Sequence, residues 1–180
     1  MHLSKILQSE ADSIISAWQQ QMFETYQPET AEFLVKKKDR FQNPVGFAIG
    51  RCIKVLFGYL LNNTTDEEAS KAMDDIVRVR SIQKFTPDEA LGFIFGLKDI
   101  IRKSVAGYSL DSDYIDQIKL VDDKIDQMML TAVNIYVQCR VKLIEIKSYE
   151  LQRAYHKALE RSNLFQALEK EIEDSDEKEE

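Results

Sequence analysis

Histidine is nearly missing from this sequence: 180 residues hold two, His2 and His156. A globin-type haem site needs an axial ligand, usually histidine, deep in an apolar pocket. His2 stands in the first few residues and His156 in a late charged segment, so neither suits. A carboxylate-bridged metal site in a helical bundle needs Glu-x-x-His pairs, and none occurs. Cysteine is as rare. Cys52 and Cys139 are far apart, and neither has a second Cys or a His at ligand spacing, so both read as small thiols rather than metal ligands. With so little histidine, a Ser or Cys nucleophile lacks a base. There is no Gly-x-Ser-x-Gly elbow and no glycine loop to cradle phosphate. The expectation is no enzyme, no cofactor and no metal.

Six glycines and three prolines are few for an all-β chain, which turns often; they suit long helices with short connections. No basic stripe carries interleaved aromatics, which argues against nucleic acid as a partner. The most apolar stretch, 45–61, is broken by Arg51 and Lys54 and is shorter than the roughly 20 residues of a spanning helix, so no membrane insertion is expected. Met1 to Lys5 lacks a basic region followed by an apolar run, and the expected location is the cytoplasm. Net negative charge is scarce outside one place. Of the net −7, the last ten residues carry −6 (seven acids, one lysine), which leaves the body near neutral.

What is present is helical periodicity. Leu3, Ile6, Leu7, Ile14, Ile15, Trp18, Met22 and Phe23 predict a first helix from about Leu3 to Tyr26, with Ser4 as its N-cap and Gln27-Pro28 as its end. A short helix over 29–38 follows. Asn43-Pro44 restarts the chain, since Asn caps and Pro suits the first helical position. Thr65-Asp66-Glu67-Glu68 and Thr86-Pro87-Asp88-Glu89 are capping-box sequences opening two further helices. The first, 66–83, buries Ala69, Ala72, Met73, Ile76 and either Val77 or Val79. The second, to about Val105, is apolar nearly all round and reads as central. Gly92 and Gly96 in it allow a neighbouring helix close approach.

From about Asp113 the pattern is helical without Gly or Pro to the end, as one very long helix or two in tandem. Ile115, Ile118, Val121, Ile125, Met128, Ala132, Ile135, Cys139 and Leu143 form one stripe, with Asp122, Asp123 and Asp126 on a solvated face. Leu151, Ala154, Ala158, Phe165 and Leu168 continue it as a coiled-coil seam, which needs a homodimer or a partner helix to cover it. The fold class is therefore all-α: a helical bundle with a long C-terminal helix. The expected division is a helical domain over 1–146, a coiled-coil-like extension over 147–172 and a disordered acidic tail over 173–180.

The unusual segment is 76–85, where Arg78, Arg80 and Gln83 sit among apolar residues beside a helix junction. Asp74 lies four before Arg78, the favourable orientation for a pair. Two readings stand: an arginine ties the two helices together, or the junction receives an anion or partner near the N–H groups opening the next helix. The run from Arg78 through Arg80, Ser81, Ile82, Gln83, Phe85, Thr86, Pro87, Ala90, Gly92 and Phe93 to Leu97-Lys98 resembles the signature of the RsbRD N-terminal domain family. Phe41-x-Asn43-Pro44-Val45-Gly46 and Trp18 match it too, and the resemblance covers about 3–146.

That resemblance implies a helical sensory or regulatory domain, globin-like but without haem, that dimerises and signals through a helix to a STAS output domain, the pair acting as co-antagonist of a switch kinase. Its implied partners are proteins, a STAS-domain protein or the kinase. These 180 residues hold no STAS domain, so its phosphorylation site is not carried over. Two alternatives stay open: a small-ligand sensor with a pocket between the Asn43-Pro44 and Thr86-Pro87 helices, and an accessory protein of an anaerobic respiratory complex.

Overall fold

The computed structural model describes residues 2–36, 39, 41–109 and 112–176, without the side chains of 164, 165 and 168–176. Among the described residues seven α-helices follow one another: α1 (Leu3–Ser9), α2 (Ala11–Phe23), α3 (Pro28–Lys36), α4 (Pro44–Leu60), α5 (Asp66–Ser81), α6 (Pro87–Val105) and α7 (Tyr114–Asp176). There is no strand among the described residues, so the all-α expectation and the long last helix both hold. The chain divides into two units, Met1–Cys139 and Arg140–Glu180, and α7 supplies residues to both.

In the first unit the caps act as their residue types require. The Asn43 side chain accepts from the N–H of Gly46 at 2.8 Å and donates to the Leu34 carbonyl at 3.0 Å, so one buried amide starts α4 and satisfies the end of α3. A Cβ on Gly46 would stand 2.3 Å from that amide nitrogen, which explains the glycine three residues on. Thr65 and Glu68 form the capping box of α5. At α6 the N–H and hydroxyl of Thr86 both donate to Glu89, at 2.9 Å each.

These helices pack through their apolar stripes. α2 contacts both α4 and α6, α5 runs along α4, and α6 also meets α1 and α5. Trp18, Ile53, Leu56, Ile76, Phe93, Ile94 and Leu97 are core residues, and of the two valines Val77 is the fully buried one. Trp18 donates its indole N–H to the Phe93 carbonyl at 2.7 Å and sets its ring 6.0 Å from that of Phe93.

Three local expectations change. The first helix is two, because the chain turns at Glu10, whose carboxylate accepts from the Tyr108 hydroxyl at 2.5 Å. That bond pushes the Tyr108 pKa up. Ser4 lies inside α1 rather than capping it; the Leu3 N–H donates instead to Gln117 of α7 at 2.7 Å. Ile115 is exposed, since Tyr114, four before Ile118, takes its place against the core.

The two glycines of α6 differ. A Cβ at Gly96 would fall 2.0 Å from the Gln21 amide, so α2 does approach there. At Gly92 a Cβ would meet nothing within 4 Å. Gly92→Ala is therefore expected to raise stability by about 0.5–1 kcal/mol, the ordinary gain of removing glycine from a helix interior. Chemical denaturation checks this; a loss of stability would mean that Gly92 faces something the geometry does not show.

The second unit consists of α7 from Arg140 onward. Val141, Ile144, Leu151, Tyr155 and Leu159 recur at spacings of three, seven, four and four residues, and all are exposed. Residues 173–176, expected to be disordered, are helical. The rest of that expected tail, 177–180, lies outside the described residues.

Candidate functional site

The α5–α6 corner holds the molecule's one fully buried arginine among the described residues. Arg80, in the last turn of α5, has no exposed surface. Its Nε donates to the Ala90 carbonyl at 2.8 Å, and one Nη donates to the Glu89 carbonyl at 2.6 Å and the Thr25 hydroxyl at 2.7 Å. The guanidinium carbon stands 4.6 Å from the Phe85 ring centre, 5.3 Å from Tyr26 and 5.7 Å from Phe93. Tyr26 and Phe85 meet edge to face at 5.1 Å. The cation is thus held by carbonyls, a hydroxyl and ring faces, all negative ends of dipoles, and no carboxylate pairs with it among the described residues. Burial pushes its pKa down, while Tyr26 and Glu89 pull the other way.

Arg80 therefore joins α5 and α6, as one sequence reading had it, and adds the α2–α3 corner, which the sequence did not single out. Thr25 and Tyr26 come from that corner, just before Pro28. A hydroxyl and a ring beside a predicted helix end were the only signal available. The Arg80 Nη1, the Tyr26 hydroxyl oxygen and the Gln83 Oε1 are buried without a hydrogen-bond partner among the described residues.

The other motif residues do not gather around Arg80. Arg78 points outward, its Nε 2.5 Å from Asp74 and one Nη 3.9 Å from the Cys139 sulfur. Pro87 is exposed at the start of α6, where Glu89 already sets a carboxylate before the first N–H groups. Asn43 and Pro44 form the α3–α4 corner. Lys98 reaches α7, with Nζ 2.6 Å from Asp126 and 5.7 Å over the Phe95 ring.

Lys98 belongs to a polar clasp on the first part of α7. Arg102 meets Asp122 at 2.5 Å. Lys124 donates to the Tyr59 carbonyl at 2.9 Å and to the Asn62 side chain at 2.6 Å. Asn62 has φ of 58°, a left-handed conformation that asparagine tolerates better than most residues. Asp122 and Asp126, expected on a solvated face, are thus paired with α6. Beneath the clasp, Val121, Ile125, Met128, Ala132 and Tyr136 are buried.

The seam residues of the late helix divide by what is described. Leu151, Ala154 and Ala158 are exposed; the side chains of Phe165 and Leu168 lie outside the described residues. His156 is exposed too, 3.5 Å from Glu160. Among the described residues, no group of three or more His, Cys, Asp or Glu side chains could hold a metal ion, and no helix is long and apolar enough to cross a membrane. Among the described residues, a cavity opens between α4, α5 and the first part of α7, and α2 packs on both α4 and α6.

Comparison with known families gives a match over residues 12–161 to the RsbT co-antagonist protein rsbRD N-terminal domain. Comparison with curated proteins and with solved structures gives no match.

Proposed function

The chain belongs to the RsbT co-antagonist protein rsbRD N-terminal domain family, and from that premise we propose that it is a non-enzymatic regulatory protein of the cytoplasm acting through protein–protein contact. The helical body over 1–146 serves as the sensory part. The late helix joins two copies and engages a partner, a STAS-domain protein or a switch kinase. One observation carries this reading: beyond Cys139, α7 exposes Val141, Ile144, Leu151, Tyr155 and Leu159. An isolated helix with an apolar stripe gains most of its stability by burying that stripe.

Charge favours a parallel pair. With Val141 and Tyr155 joining Ile144, Leu151 and Ala158 as the core positions in place of Ala154, residues Arg140, Lys147, Ala154 and Arg161 fall on one flank and Glu145 on the other. Side by side and in register, Arg140 of one helix lies across from Glu145 of the second copy. Antiparallel, the basic flanks face each other.

Deleting 151–180 is expected to convert a dimer to a monomer in light scattering and to weaken capture of a STAS-domain protein at least tenfold, with the helical content of the body retained. Unchanged mass and capture by the truncated chain would reject the proposal.

A further inference from the structure

We propose that the cleft where α4, α5 and the first part of α7 meet binds a small organic cation with an apolar body. This goes beyond the role given to the late helix and is independent of it, because every residue used belongs to the first unit.

The cleft holds a cavity of about 280 Å³. Leu56, Met73 and Met128 form its floor, and all three are buried, while Asp66, Ser70, Gln127 and Thr131 supply its polar lining. Two of the three floor residues are methionines, whose unbranched, polarizable thioethers adapt to the shape of an apolar guest. The volume lies just below the roughly 300–1,000 Å³ of sites for drug-sized ligands, which limits the guest to a small one.

Charge selects the class. Asp66 is the carboxylate among the lining residues, at the edge of the cavity in the first turn of α5. The Thr131 hydroxyl donates to the Gln127 carbonyl at 3.0 Å, so its oxygen offers the cavity a lone pair. A second space adjoins the first and shares Ser70 and Thr131 with it; Glu67, Asp74 and Lys71 line this outer part. Of the carboxylates over both, Asp74 is engaged by Arg78; Lys71 lines the outer part, and the Lys124 ammonium lies 4.9 Å over the ring of Tyr59 and is bonded to the Tyr59 carbonyl, so Asp66 is the carboxylate the inner space offers a guest. An anion is repelled by Asp66, and a neutral guest with a hydroxyl gains from it only a hydrogen bond without ionic attraction. An ammonium gains a charge-assisted bond at Asp66 while its apolar body covers Leu56 and the two thioethers.

The test uses phenethylamine on the full chain with ¹³C-methyl methionine, and 2-phenylethanol and phenylacetate as neutral and anionic near-isosteres. Saturable shifts are expected at the Met73 and Met128 methyls, with Met22 unmoved. The alcohol is expected to bind at least tenfold more weakly and the acid not at all. Asp66→Asn, a change at an exposed position, is expected to weaken the amine at least tenfold with the Met22 resonance unchanged. No saturable shift, equal affinity for amine and alcohol, or unaltered binding by Asp66→Asn would each overturn the proposal. Should Asp66→Asn fail to fold, the amine and alcohol comparison on the unaltered chain decides the matter alone.

Discussion

Replacing Arg80 by alanine is expected to lower the unfolding free energy by about 3–5 kcal/mol, a large share of the roughly 5–15 kcal/mol of an ordinary domain. The loss combines a cavity with three hydrogen bonds and the faces of Phe85, Tyr26 and Phe93. Two further variants separate packing from charge. Lysine keeps the charge but lacks the planar fork that reaches Ala90, Glu89 and Thr25 together, so Arg80→Lys is expected to cost about 2–3 kcal/mol. Methionine keeps most of the apolar stem and buries no charge. The Ala90 and Glu89 carbonyls sit in the first turn of α6, where they can accept from the N–H groups four residues on. Arg80→Met is therefore expected to cost under about 1.5 kcal/mol. Urea denaturation followed by the fluorescence of Trp18, the only tryptophan, measures all three. A loss below about 1 kcal/mol for Arg80→Ala would show that the corner holds without its cation.

Trp18→Ala is expected to cost about 3–5 kcal/mol as well, for a different reason. The side chain is fully buried between α2 and α6, and its removal opens a cavity beside Phe93. Trp18→Phe keeps an aromatic ring there and loses the 2.7 Å bond to the Phe93 carbonyl; about 1–2 kcal/mol is expected. Circular dichroism at 222 nm during denaturation reads both. Equal losses for phenylalanine and alanine would place the whole effect in the hydrogen bond and refute the packing account.

The helices were legible because their signals are local. Asn43-Pro44, Thr65 with Glu68, and Thr86 with Glu89 start helices through atoms at most three residues apart. The stripe 118–132 faces the core because its period is that of a helix. The errors were long-range. The turn at Glu10 accompanies a bond to Tyr108, and the N-terminus of α1 is met by Gln117, both about a hundred residues away. Gly92 and Gly96 look alike in sequence, and only the position of Gln21 separates them.

By itself, then, the sequence determined that this protein is helical, where most of its helices begin and which stripe of each is apolar, because backbone hydrogen bonds and caps are satisfied within a few residues. It also located the unusual segment from Arg78 to Lys98. Only the tertiary structure decided which arginine of that segment is buried: Arg80 turns inward because Thr25, Tyr26 and the first carbonyls of α6 converge on it, while Arg78, two residues earlier, turns outward to Asp74. It decided too that Lys98 reaches α7 and that a cavity lies between α4, α5 and the first part of α7. Those are matters of what meets across helices, and no local pattern encodes them.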